Sequence, residues 1–516
     1  MNGAESLIRT LADAGVDVCF ANPGTTEMHL VHALDAVGDV RAVLGLFEGV
    51  CTAAADGYAR MAQRPAMTLL HLGPGLANGL ANLHNASRAR TPVVNLVGEH
   101  ATWHRRYDAP LQTDIESFAR PVSKWVRTSE SAQDVAHDGA LAYGAATAAP
   151  GGVATLIVPA DCAWGDADGP ARPIPGAPPA AVLDEAVEAA ARALSGDGRP
   201  GALLLGATAL TEVGIRAAGR IAAATGCRLL SETFPARLER GGGLPAPERL
   251  PYFPEEATAV LEQASTVILA GAREPVAFFG YPGLRSELAP EGTPVVTLAD
   301  PAHEAADALV RLAERVGASH DAAPAGGAEA PAMPPDGPLT PRSVASVVAA
   351  VQPEGAIVVD ESLTLSAFYF AASRGAARHS YMALTGGAIG QGLPCAAGAA
   401  IACPDRPVIA VQADGSGMYT AQALWTHARE GLDITTLICS NRTYAILLEE
   451  LARAGVKDPE PHARAVTSLG DPALDWVSLS RGMGVPASRA TTTRELAAAM
   501  RDALAEPGPH LVEMVL

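Results

Sequence analysis

Residues 408–417 read Val-Ile-Ala-Val-Gln-Ala-Asp-Gly-Ser-Gly. The apolar run Val408–Gln412 predicts a buried strand, and a helix is expected from about Thr420, after the Gly-rich turn. A turn of this kind aims backbone N–H groups and a helix dipole at phosphate. Asp414 adds a hard oxygen at the strand's end. The next apolar run, Thr435–Ser440, ends in Asn441-Arg442-Thr443-Tyr444. Asp414 and Asn441 are 441 − 414 = 27 residues apart, one strand–helix–strand crossover. Both therefore reach the C-terminal edge of neighbouring parallel strands, where such sheets bind ligands. A carboxylate, an amide oxygen and a backbone carbonyl suit an octahedral Mg²⁺ that keeps water and phosphate oxygens. Taken alone, the segment also fits a plain Asp-Gly-Ser turn with Asn441 as a cap.

The pattern around this stretch is α/β throughout. In the first third, strands are expected at Val18–Phe20, Val40–Leu46, Met67–Leu72, Val93–Gly98 and Val153–Val158. Helices are expected at Glu5–Ala14, Thr26–Val37, Glu48–Met61 and Leu76–Arg88. Continuous apolar strands between helices imply a parallel sheet covered on both faces. A second unit, 181–318, repeats the alternation with strands at Ala202–Leu205, Arg228–Leu230, Thr266–Ala270 and Pro294–Leu298. Residues 319–338, with Ala322–Pro338 too rich in Pro, Gly and Ala to pack, are expected to be a linker. The third unit, 339–516, has strands at Ile357–Asp360, Val408–Gln412, Thr435–Ser440 and His510–Met514. The expectation is three doubly wound parallel-sheet domains, 1–165, 181–318 and 339–516.

Composition narrows the function. Of 516 residues 48% are hydrophobic, enough for sizeable cores; Asp plus Glu outnumber Lys plus Arg by 56 to 37. A net charge of -19 argues against nucleic-acid and anionic-membrane partners. The seven cysteines form no C-x-x-C pair, and neither a signal core nor a membrane span is evident. A cytoplasmic location is expected.

A second motif lies in the first unit. Glu48 is followed by Ala53-Ala54-Ala55-Asp56-Gly57-Tyr58-Ala59-Arg60. This resembles the H-E-x-x-A-x-x-x-A-x-G-Y-A-R motif of thiamine-diphosphate enzymes, with Phe47 in place of the His and Cys51 in place of the first Ala. The Asp414–Asn441 segment resembles that family's G-D-G…N signature, with Ala413 for the first Gly and Ser440 for the first Asn. The resemblance runs along nearly the whole chain: Asn22-Pro23-Gly24-Thr25, Gly73-Pro74-Gly75, Arg120–Trp125, Asp360-Glu361-Ser362-Leu363-Thr364 and Gly386–Pro394 each match a family segment in order. The chain is most similar to the benzoylformate decarboxylase and acetolactate synthase branch.

The resemblance implies thiamine diphosphate and Mg²⁺ as cofactors. Asp414, Asn441 and the Thr443 carbonyl would hold the metal. Asn22, Pro23, Gly24, Gly73, Leu363, Thr364, Gly387, Ile389, Gly415, Ser416 and Tyr444 would contact the cofactor. Glu48 would hydrogen-bond the pyrimidine N1′ and help generate the ylide, a carboxylate acting as a proton relay. By the same resemblance, a 2-oxo acid would be the substrate, CO₂ would leave, and the remaining acyl carbon would be protonated or joined to an aldehyde or ketone. The resemblance also implies a homodimer or homotetramer with active sites between subunits.

The branch is less sharply marked. His71 and Thr25 match a catalytic His and a substrate-binding Ser of benzoylformate decarboxylase. That enzyme's second His, from the middle domain, has no counterpart in Phe278-Phe279-Gly280-Tyr281-Pro282. Decarboxylation and carboligation both stay open. Leu111, Ile446 and Glu450 are the expected substrate contacts. A dinucleotide-binding oxidoreductase would need G-x-G-x-x-G, and Gly73-Pro74-Gly75-Leu76-Ala77-Asn78 lacks the third Gly. A non-catalytic relative would be expected to lose Glu48 or the metal ligands, and both are kept.

Overall fold

A computed structural model of the chain describes residues 1–196, 198–319 and 328–516. It contains three sheets. The first has β1 (Val18–Asn22), β2 (Arg41–Leu44), β3 (Ala66–Leu70), β4 (Val93–Glu99), β5 (Trp125–Thr128) and β6 (Val153–Pro159), in the order β2-β1-β3-β4-β6-β5. All its pairings are parallel. The second has β7 (Ala202–Leu205), β8 (Arg228–Ser231), β10 (Glu248–Arg249), β11 (Val267–Ala270) and β12 (Val295–Ala299), ordered β10-β8-β7-β11-β12. Between β8 and β10 the chain leaves to form β9 (Leu238–Arg240).

The third sheet is β17-β18-β16-β15-β13-β14-β9. Its own strands are β13 (Ala356–Glu361), β14 (His379–Ala383), β15 (Val408–Ala413), β16 (Ile434–Ser440), β17 (Ala487–Ala490) and β18 (His510–Val515). They pair in parallel, whereas β9, lent by the middle segment, lies antiparallel against β14. The three-sheet α/β expectation holds, and the strand exchange is new. It pins the middle segment to the edge of the third sheet.

The helix Glu48–Ala62 packs on the helix Gly392–Ala402 through small residues. A Cβ on Gly57 would lie 2.0 Å from the Cys395 carbonyl oxygen. Only a residue without a side chain allows that approach. Beside the contact, Arg60 Nη2 and Asp56 Oδ2 are 2.6 Å apart with almost no exposed surface. Asp56 also accepts from Thr91 Oγ1 and Gln391 Nε2, and Arg60 donates to the Ala383 carbonyl and Thr385 Oγ1. A buried ion pair is tolerable only when its remaining hydrogen-bonding sites are filled in this way. The Gly-Tyr-Ala-Arg motif thus holds the first unit against the third.

The linker expectation needs correction. Residues 320–327 lie outside the described residues, but 328–338 pack along the third unit. The Ala328 and Glu329 carbonyls press on Gly375, Asp336 pairs with Arg494, and Pro338 bridges to Thr492. Proline-rich chain packs here because neighbouring groups take up its free carbonyls, as Thr493 Oγ1 does for Pro335. A cavity of about 540 Å³ separates the first and middle units, and Arg90, Arg273 and Glu232 line it. Among the described residues, no helix is long and apolar enough to cross a membrane.

Candidate active site

In the first sheet the chain runs from β1 outward to β2, then returns to β3 on the other side. The loops after β1 and β3 diverge at this switch point and open a crevice. Asn22 ends β1 and donates to the Gly45 carbonyl. Gly24 N–H donates to Glu27 Oε2 at 2.7 Å. Thr25 is exposed at the start of the turn Thr25–Glu27. Thr26 Oγ1, one residue on, lies 3.4 Å from His71 Nδ1.

His71 follows β3, and its Nδ1 is 2.7 Å from Glu27 Oε2. The Glu27 side chain has no exposed surface. Its carboxylate lies over Gly98 of β4, where a Cβ would come within 1.7 Å of Oε1. Sequence reasoning missed Glu27. The signal was a carboxylate three residues after Gly24 in Asn-Pro-Gly-Thr-Thr-Glu. Leu72 then takes a left-handed φ of 51°, strain of the kind that collects at functional sites.

Glu48 is the first residue of its helix, a favourable place for a carboxylate. Its Oε2 accepts from Asn78 Nδ2 at 2.9 Å. Its Oε1 and the His71 Cβ lie 3.2 and 3.3 Å from the Cβ position of Gly75. The structure therefore brings Glu48 and His71 together beside Gly75, with Glu27 bonded to the His71 ring and Gly73 on the same turn packed against Thr113.

The third sheet has a matching switch point between β13 and β15, where Glu361 pairs with Gln412. Asp360 accepts from Ser362, Ser366 and Tyr381 and fixes the turn in which Leu363 takes φ 52°. Glu361 accepts from the N–H groups of Gly390 and Gly392, and burial pushes its pKa up. That holds the 386–392 loop, including Gly387 and Ile389, against the sheet. Ser416 closes the β15 turn by accepting from Gln412 Nε2.

Asp414 is 3% exposed. Gly415 N–H donates to its Oδ1 and Arg442 N–H to its Oδ2. Burial raises its pKa, with a smaller contribution from Glu513. Among the described residues no cation pairs with it. A buried carboxylate held only by backbone N–H groups is stabilised by a bound cation. Asn441 Oδ1 accepts from Thr443 N–H at 3.0 Å, Arg442 between them has φ 57°, and the Tyr444 ring covers Gly415. One carboxylate, one amide oxygen and one carbonyl on adjacent strand ends fit a hard cation such as Mg²⁺.

Beside this edge lies a cavity of about 770 Å³. Leu363, Thr364, Gly387, Ile389 and Ile446 line it, and Tyr252 and Phe278 form an aromatic wall with rings stacked 4.9 Å apart. Glu450 does not line it. Its carboxylate accepts from Tyr281 Oη at 2.9 Å, and Glu449 faces the cavity instead. Burial and the neighbouring Glu450 raise the Glu449 pKa. Leu111 is 41% exposed and also lies outside this cavity. Among the described residues the lining begins at Phe234, so it takes nothing from the first unit.

Known proteins resemble this chain in sequence and fold. Residues 1–119 match the family described as thiamine pyrophosphate enzyme, N-terminal TPP binding domain, and residues 363–514 match its C-terminal TPP binding domain. Benzoylformate decarboxylase of Pseudomonas aeruginosa is 31% identical over 97% of this chain and 96% of its own. The chain belongs to the thiamine pyrophosphate enzyme family. Another member, a Mycobacterium tuberculosis protein provisionally named acetolactate synthase large subunit IlvX, is 54% identical over 100% of this chain and 99% of its own. The structure of thiamine-diphosphate-dependent 4-hydroxybenzoylformate decarboxylase from Rhodococcus jostii superposes with a TM-score of 0.87 at 25% identity, covering 100% of this chain and 99% of that one. Glu48 and His71 thus lie in the stretch that matches the N-terminal TPP binding domain, and Asp414 and Asn441 in the stretch that matches the C-terminal one.

Proposed function

We propose that the protein is a Mg²⁺-dependent enzyme that breaks or makes the C–C bond beside the oxo group of a 2-oxo acid. The observation that carries this reading is that Glu48 and His71 meet beside Gly75, with Glu27 bonded to the His71 ring. A carboxylate and an imidazole held this closely are a proton-transfer set rather than a binding surface. Thiamine diphosphate, when bound, supplies the nucleophilic carbon and stores the electrons left by the departing carboxyl group.

The chain's own residues do the rest. Asp414, Asn441 and the Thr443 carbonyl hold the metal, and the turn around Gly415 and Ser416 receives the diphosphate. Gly387 and Ile389 position the rings. Glu48 holds a proton at the pyrimidine nitrogen. His71 Nε2, the ring nitrogen left free by Glu27, moves protons at the substrate's oxygens, and the Thr25 hydroxyl binds its carboxylate.

The aromatic wall of the large cavity favours a substrate with a bulky apolar or aromatic group beside the 2-oxo function. Its lining lacks the first unit's Glu48 and His71, which supports an active unit of at least two copies with sites between them. The absence of a His at Phe278–Tyr281 favours an acceptor aldehyde joining the reaction.

The test is to give the purified chain thiamine diphosphate, Mg²⁺ and a panel of aliphatic and aromatic 2-oxo acids, with and without an aldehyde. CO₂ release, fastest with aromatic acids, and a 2-hydroxyketone when the aldehyde is present are expected. No CO₂ and no ketone from any combination would reject the reading.

A further inference from the structure

We propose that His100, backed by His104, relays protons between solvent and the Glu27–His71 pair. This rests on the 2-oxo acid reading above. Either branch of that chemistry takes up one proton per CO₂ released: 2-oxo acid anion plus H⁺ gives aldehyde and CO₂, and 2-oxo acid anion plus aldehyde plus H⁺ gives 2-hydroxyketone and CO₂. That proton must reach His71, whose side chain is 22% exposed and whose partner Glu27 is sealed from water.

Geometry places His100 on the route. β3 and β4 run in parallel with Leu70 beside Val97, so His71 follows beside Gly98. Glu27 lies on Gly98, and His100 comes two residues later, just beyond the end of β4. The His100 Nε2 is buried and, among the described residues, has no hydrogen-bond partner. The His104 ring stands 5.4 Å from it, centre to centre, a gap one water or a ring rotation closes. Beyond His104 come Trp103 and Tyr107, each 61% exposed, so the outer end reaches solvent.

The charges around His100 fit a group that gives its proton up. Burial lowers its pKa most, His104 and His71 lower it further, and Glu27 opposes them. Glu99, whose carboxylate accepts from the His100 backbone N–H, is itself held up in pKa by burial, with that bond and Arg105 acting the other way. In the relay, His104 brings a proton from solvent to His100, and the protonated His100 passes it on to His71 once the His71 Nε2 has given its own proton to the substrate. His100 acts through His71 and is a positioning and relay residue, not a catalytic one. It belongs to the first unit and not to the Phe278–Tyr281 stretch that lacks a His.

Two measurements test this. In cofactor-free protein labelled at histidine, NMR titration of His71→Gln should move the His100 midpoint upward by about half a pH unit or more, since a like charge is lost beside it. In the loaded enzyme, His100→Gln should slow steady-state turnover about tenfold or more, and His100→Ala should regain rate with added imidazole. His104→Gln, nearer the surface, should give a smaller loss and guards against misfolding of the inner variants. An unmoved His100 midpoint, or a His100→Gln enzyme at the wild-type rate, overturns the relay while leaving the 2-oxo acid reading intact. A wild type inert to every 2-oxo acid overturns both.

Discussion

His71 Nδ1 lies 2.7 Å from Glu27 Oε2, and the Glu27 side chain has no contact with solvent. A buried carboxylate on one ring nitrogen fixes the orientation and tautomer of the imidazole and leaves the other nitrogen for chemistry. Glu27→Gln keeps the size and one hydrogen-bonding oxygen but removes the charge. It should slow single-turnover CO₂ release by about 10²-fold or more, in line with the loss of a general acid–base partner. Cofactor affinity should change little. A variant as fast as wild type in a rapid-mixing assay would make the pair a structural contact only.

Asp414 is the strongest expectation for metal dependence. Its buried carboxylate has backbone donors but no cation among the described residues. Asp414→Ala should abolish binding of thiamine diphosphate at micromolar cofactor, and EDTA should do the same to the wild type. Calorimetry reads both. Wild-type binding that survives EDTA would refute the metal assignment.

Glu48 sits at a helix start with one oxygen on Asn78 and the other beside Gly75. Glu48→Gln should leave the fold and oligomer unchanged. It should slow hydrogen–deuterium exchange at the C2 carbon of bound thiamine diphosphate by about 10²–10⁴-fold. Exchange at the wild-type rate, followed by NMR after acid quench, would remove Glu48 from the proton path.

The positions of Asp414 and Asn441 just past strand ends and of Glu48 at a helix start were legible in the sequence, because local apolar pattern reports such places. Glu27 was not. An acid in the first turn of a helix ordinarily means a favourable dipole charge, and its burial is made by Gly98, 98 − 27 = 71 residues away. β14 was hidden because His379-Ser380-Tyr381-Met382-Ala383 has no apolar run, although the structure buries all five residues. The lending of β9 to the third sheet is a tertiary pairing with no local trace. The sequence points to Glu450 and the structure turns Glu449 to the cavity, because the phase of a nine-residue helix is not fixed until Tyr281 is seen to claim one of the two carboxylates.

The Asp56–Arg60 pair should matter to stability more than any surface ion pair. Removing Asp56 leaves a buried guanidinium with a lost partner and frees Thr91 and Gln391 as well. Asp56→Ala should cost about 3–5 kcal/mol, the usual penalty for breaking a buried pair. Arg9→Ala, which breaks an exposed pair with Asp39, should cost at most about 1 kcal/mol. Denaturant midpoints of the two variants side by side decide this, and similar losses would deny the buried network its role.

Glu232, on the cavity between the first and middle units, gives a pH dependence with a definite sign. Burial raises its pKa from 4.5 to about 7, against the pull of Arg90 and Arg273. Between those values the folded protein holds a proton that the unfolded chain has released. Stability from this group is therefore greatest below about pH 4.5 and falls as pH rises to about 7. Glu232→Gln has no carboxyl to ionise, so it should remove that slope and raise the thermal midpoint relative to wild type most at pH 7 and above. The difference between variant and wild type should shrink as pH falls toward 5. A difference that stays constant from pH 5 to pH 8 would show that Glu232 does not titrate in this window.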